Sequence, residues 1–168
     1  TDIGTVESFF EANLGLTDDI PQFDLYNKDK LIYTRARMLP TTKIAGTVLD
    51  KTVISDGCIL SAEKIERSVI GIRSRIGKGS IVINTYMMGN DYYESLDQIQ
   101  TNNIENLLGI GENCFIKNCI IDKNCRIGDH VKIEGGKHLE DTETDTYCVR
   151  DGIVVIKKDA TIPKGTII

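Results

Sequence analysis

The chain has 168 residues, 40% of them hydrophobic and 27% charged, with a net charge of −5. That balance suits one globular domain, or a domain with an appendage, and excludes the broad basic field that nucleic acid needs. No apolar run approaches the roughly 20 residues that span a bilayer, so no membrane partner is expected. The opening Thr1-Asp2-Ile3-Gly4-Thr5 has neither the basic nor the apolar region of a signal peptide, and no initiator Met. It reads as a start inside a longer protein. The first element is a short helix: Thr5 can cap it, Val6, Phe9, Phe10 and Leu14 form one apolar stripe, and Gly15 can stop it. So short a helix is marginal alone, and its stripe must dock on the rest of the chain or on a part beyond it. Residues 17–43 read as a linker, punctuated by Pro21 and Pro40.

From residue 44 to the end, aliphatic residues return at every sixth position. Val48, Ile54 and Leu60 form one series, and Ile70, Ile76, Val82 and Met88 another. Ile110 and Ile116 follow, then, after a five-residue step, Ile121, Ile127 and Ile133; Ile156, Ile162 and Ile168 close the chain. This is neither the helical nor the simple strand period. It predicts short strands joined by tight turns, three to a triangular coil, each coil stacked on the last at about 4.8 Å. The all-β solenoid would have on the order of five coils. Asn84, Asn113 and Asn124 suit turn positions that need a positive φ. Hexapeptide-repeat proteins wind left-handed, against the usual crossover rule, and a left-handed parallel β-helix is the expectation adopted here; the period itself does not give the hand.

Two polar stretches break the repeat, residues 90–109 and 134–155, and both are expected as loops leaving the prism. The second holds the acidic run from Glu140 to Asp145. The five cysteines, Cys58, Cys114, Cys119, Cys125 and Cys148, form no CxxC pair. They read as small buried hydrophobes in a reducing cytosol rather than as disulfides or metal ligands.

Three stretches resemble the ADP-glucose pyrophosphorylase (glucose-1-phosphate adenylyltransferase) family. They are Asp2-Ile3-Gly4-Thr5 with Ser8-Phe9-Phe10-Glu11-Ala12-Asn13-Leu14; Ser68 to Ile76 with Met88-Gly89-Asn90-Asp91-Tyr92-Tyr93-Glu94; and Ile120 to Gly128 with Asp151 to Ala160. The resemblance implies that residues 1–16 are the helical tail of a catalytic domain missing from this chain, and that 44–168 is a left-handed β-helix regulating and assembling an oligomer. The family joins glucose 1-phosphate to the adenylyl group of ATP, releasing pyrophosphate, for glycogen or starch synthesis. Its location would be cytoplasmic, or plastid in a plant. The family's Gly-rich phosphate loop is not found, since Gly77-Lys78-Gly79 belongs to a hexad turn. No catalytic residue is therefore expected in this chain, and the chain alone is expected to be inactive. Asp2 matches a ligand of Mg²⁺ in the intact enzyme, a hard ion suited to a carboxylate. Lys123 and Lys158 match a pattern that binds anionic sugar-phosphate effectors, with Arg37 and Arg150 as further candidates. The doubled Lys157-Lys158 leaves that register open by one residue.

Two other classes compete. A hexapeptide-repeat acyltransferase would need a histidine base, for which only His130 and His138 are available. A purely structural oligomerisation module would need no ligand at all.

Overall fold

The computed structural model describes residues 2–101 and 104–168. Helix α1 spans Val6–Leu14 and a 3-10 turn follows at Gly15–Thr17. The ladder then begins with β1 (Lys43–Ile44), β2 (Val48–Ile54), β3 (Ile59–Leu60), β4 (Lys64–Ile70), β5 (Arg75–Ile76) and β6 (Ile81–Met87). After a short helix α2 (Leu96–Thr101) come β7 (Gly109–Ile110), β8 (Phe115–Ile121), β9 (Arg126–Ile127) and β10 (Lys132–Glu134). A hairpin region, β11 (Thr142–Glu143), β12 (Tyr147–Arg150) and β13 (Ile153–Ile156), precedes the last strand β14 (Thr161–Ile162).

The short strands stack as β1-β3-β5-β7-β9-β14, parallel throughout. The seven-residue strands stack as β2-β4-β6-β8, also parallel. Each long strand turns a corner at its centre, where Lys51, Arg67, Asn84 and Asn118 all take a positive φ of 41–50°. It therefore covers two faces, and the short strand supplies the third. The fold is a three-faced parallel β-helix.

In-register pairing puts each inward side chain on its counterpart. Leu60, Ile76, Ile110, Ile127 and Ile162 line one face, and Ile65, Val82, Ile116 and Ile133 the second. Ile70, Met87, Ile121 and Ile156 line the third. The expected series is corrected at two positions. Val48 is 61% exposed and its neighbour Leu49 holds the inward register; Met87, not Met88, is inward, at 2% exposure. The reason is the long-strand corner, which shortens that side to the step from Val82 to Met87, or from Ile116 to Ile121. The five-residue step is thus a property of the repeat and not a single slip.

Turns between strands hold three of the five cysteines, while Cys119 lies in β8 and Cys148 in β12. Cys58, Cys114 and Cys125 are buried, and each thiol donates to a carbonyl of a neighbouring turn: Gly71 at 3.2 Å, Gly128 at 3.2 Å and Lys157 at 3.1 Å respectively. Burial pushes the Cys125 thiol up to about 12. Asn84, Asn113 and Asn124 have positive φ, as the turn chemistry predicts. Asn84 donates to Asn118 Oδ1 at 3.2 Å, and Asn118 to the Gly135 carbonyl at 2.7 Å, a short amide ladder along one corner.

A parallel sheet is seldom left bare on one side. Here the outward row Tyr86, Ile120 and Val155 is covered by α1. Phe10 and Leu14 are buried with Ile120 and Ile153, and the Phe9 and Tyr86 rings meet at 5.5 Å. Thr5 caps the helix through Ser8 as the sequence suggests. Gly15 does not end it in a left-handed turn: its φ is −58°, and the Thr17 hydroxyl closes the 3-10 turn on the Leu14 carbonyl at 2.7 Å.

The interruptions are shorter than the sequence reading places them. Gly109 already belongs to β7, paired with Arg126. Glu134 is still in β10, and Ile153–Ile156 returns to the ladder beside Cys119–Ile121. Val154 and Ile156 are fully buried. A hairpin inserted within a coil shifts the phase, so the hexad series picks up the strand on its far side only at Ile156.

The core stack carries a direct expectation. Ile121→Ala removes a fully buried side chain from the middle of the third face and should destabilise the chain by about 2–5 kcal/mol in urea unfolding. Truncating the 77% exposed Ile167 should change it by less than about 0.5 kcal/mol.

Candidate functional site

The segment from Met88 to Glu94 leaves the third coil and ties itself to its neighbours. Gly89 has φ +86°, and a Cβ there would lie 2.2 Å from the Ile72 carbonyl oxygen. That backbone approach requires glycine. Asn90 is buried and donates to the Arg73 carbonyl at 2.8 Å, while the Arg73 guanidinium lies 5.6 Å from the Tyr93 ring centroid. The Tyr93 hydroxyl donates to the Gly57 carbonyl at 2.8 Å. Glu94 pairs with Arg126 and accepts from the Leu108 backbone N–H at 2.9 Å, closing the base of the excursion. The Glu94 side chain is 7% exposed, so this pair is far better shielded than the surface ion pairs around it.

Asp91 points to the next corner. Its Oδ1 accepts from Lys123 Nζ at 2.7 Å and its Oδ2 from Asn124 Nδ2 at 3.1 Å. Its own backbone N–H donates to Asn124 Oδ1 at 2.9 Å. One coil further on, the Asp159 backbone N–H donates to the Lys123 carbonyl at 2.9 Å, and Asp159 Oδ1 accepts from Asn124 Nδ2 at 3.2 Å. The turns carrying Lys123 and Lys158 are therefore stacked. Hydrogen bonds from Lys123 and then Asn124, with weaker attraction to Lys158, hold the Asp91 carboxyl below the usual carboxylate range. Lys158 is exposed and forms no ion pair among the described residues.

Lys157 is differently placed. Its ammonium pairs with Glu143 Oε1 at 2.5 Å, and Glu143 Oε2 accepts from Arg150 at 2.5 Å. Arg150 also donates to the Thr142 and Val149 carbonyls, both at 2.8 Å. Of the expected effector residues, Lys123 and Lys158 are brought together, while Arg150 is engaged on the hairpin. Arg37 lies on an exposed extended segment, with a local bond to the Arg35 carbonyl at 3.4 Å. Asp2 is exposed near the start, and among the described residues no three His, Cys, Asp or Glu side chains form a metal-binding group. His130 sits exposed at a positive-φ corner and His138 is exposed beyond β10; neither imidazole bonds a carboxylate among the described residues.

A profile of the family described as the GLGC left-handed parallel beta-helix domain matches residues 37–167. The chain belongs to that family. The coils are thus wound left-handed, and the acyltransferase class loses its ground. The glucose-1-phosphate adenylyltransferase small subunit, chloroplastic/amyloplastic, of Triticum aestivum is 43% identical over 172 aligned residues. The alignment takes in 99% of this chain and 36% of the relative, so the chain spans little more than a third of that protein's length.

Sequence reasoning named the lysines but missed Asp91, Asn124 and Asp159 as their partners, and Glu143 as the group that engages Lys157. The signal lay in the Met88–Glu94 motif, whose polar residues satisfy neighbouring coils.

The depressed Asp91 carboxyl fixes the sign of a pH effect. Its contribution to stability is complete above the unfolded carboxylate range, near about 3.9, and is lost as pH falls through the lower folded value. In a ¹³C NMR titration the Asp91 carboxyl should titrate below an unstructured peptide aspartate, and Lys123→Ala should move its midpoint up. An unmoved midpoint would contradict the Lys123 contact.

Proposed function

We propose that this β-helix is the regulatory and assembly domain of a glucose-1-phosphate adenylyltransferase, and that the Lys123–Lys158 corner binds its anionic effector. The whole enzyme would convert ATP and glucose 1-phosphate to ADP-glucose and pyrophosphate, in a plastid if it shares the location of its wheat relative. What supports the reading most is the stacked pair of lysines on adjacent turns, in a chain 43% identical to that relative. Two ammonium groups on neighbouring coils suit a phosphate, which accepts several charge-assisted hydrogen bonds. The exposed edges of the solenoid suit contact with other subunits, homologous or identical, and with a catalytic domain preceding this chain.

In this reading the domain acts on catalysis by coupling, not chemistry. Asp2 offers one hard oxygen donor toward Mg²⁺. One carboxylate is not a site, so the rest of the enzyme and its phosphate-bearing substrates would have to complete it. Arg37 and Arg150 are secondary contributors, Arg150 only if it leaves Glu143.

Thermal unfolding of the chain against fructose 1,6-bisphosphate, fructose 6-phosphate, 3-phosphoglycerate, pyruvate, AMP and phosphate tests the proposal. A true effector at 100 times its Kd should add about 2.7 kcal/mol, and the Lys123→Ala, Lys158→Ala double variant should lose that gain. A flat response to every compound would leave assembly as the function of this domain alone.

A further inference from the structure

We infer that Asp91 is a built-in competitor at the lysine corner, setting an affinity threshold that phosphate dianions clear and singly charged carboxylates do not. The inference rests on the anion-site reading above and adds to it what the site must reject. In the structure the corner is already satisfied by a carboxylate. Asp91 Oδ1 takes Lys123 Nζ at 2.7 Å, and Oδ2 takes Asn124 Nδ2 at 3.1 Å. At Lys123 an incoming carboxylate could only exchange like for like. It would compete with a group tethered beside the site and so present at high effective concentration.

A phosphate dianion differs in charge and in reach. It brings more acceptor oxygens, and it can engage Lys158 together with Lys123 because their turns are stacked at about the 4.8 Å strand spacing. Lys158 is exposed and forms no ion pair among the described residues, so a bridging ligand gains a contact that Asp91 does not make. The resident pair is weak enough to give way. Lys123 and Asp91 side chains are 36% and 45% exposed, and exposed ion pairs of this kind hold by only a few-fold. Release would also be local. Asn90 is buried against the Arg73 carbonyl and the Asp91 backbone N–H is held by Asn124 Oδ1, so the carboxylate can swing away while the loop stays in place.

Calorimetric titration of the chain with inorganic phosphate and with acetate, at mildly alkaline pH and low salt, tests this. The proteins are the parent and its Asp91→Asn, Asp91→Ala and Lys123→Ala variants, each with its melting curve recorded first. Phosphate should bind the parent weakly but measurably, and the two Asp91 variants a few-fold more tightly. Acetate should bind only when Asp91 is gone, and Lys123→Ala should lose phosphate. If phosphate binds the parent and both folded Asp91 variants equally, or the variants more weakly, the competitor role is overturned while the anion corner stands. If neither anion binds any of the proteins, both the competitor and the corner are overturned.

Discussion

Everything in this chain depends on one repeated constraint: a parallel strand must sit in register on its counterpart one coil away. The hydrogen bonds of the ladder fix the rise at about 4.8 Å and leave no freedom of sequence position. A residue that faces inward in one coil faces inward in the next, which is why isoleucine recurs along each face, unbroken from Ile76 to Ile162 on one of them. The same rule operates on the outside. It puts Lys158 over Lys123, and it puts Asn118 under Asn84. A charged pair that would need long-range folding in most proteins arises here from the stacking of two turns.

The excursions show what the stack tolerates. A coil can send out the segment after Met88 and resume at Gly109 only if the strands on either side still meet, and β5 does pair with β7 across the gap. The polar side chains of the departing segment then satisfy the carbonyls and charges of the coils beside it, through Asn90, Asp91, Tyr93 and Glu94. Among the described residues no buried side-chain polar atom lacks a hydrogen-bond partner, which is the condition for such a segment to cost the fold little. The hairpin region before β13 obeys the same rule, with Glu143 gathering Arg150 and Lys157.

The solenoid was legible in the sequence because hexad spacing of isoleucines has no competing explanation, and the capped helix because Thr5 and the Phe9, Phe10, Leu14 stripe state its ends and its buried face. The phase was less legible. Lys51 and Arg67 occupy left-handed corner positions for which basic residues carry no propensity, so nothing marked the shortened side that moves the core from Met88 to Met87. Strand β13 was legible only at Ile156 for a similar reason: the β-branched residues before it follow an insertion that resets the count. At the candidate site the lysines could be named, but Asp91 and Asn124 are 33 positions apart in the chain, and only the stack makes them neighbours. Glu143 likewise distinguishes the doubled lysines only in the folded chain, where its side chain engages Lys157 and not Lys158.

In the proposed role this domain is coupled to catalysis without taking part in it. The measurement that tests this most directly is adenylyl transfer by the whole enzyme carrying Lys123→Ala and Lys158→Ala, assayed with and without a phosphorylated effector. Basal turnover should stay close to that of the parent, and the effector's influence on it should be lost. Basal turnover that collapses in an enzyme still folded and assembled, or an effector response that survives both substitutions, would contradict it.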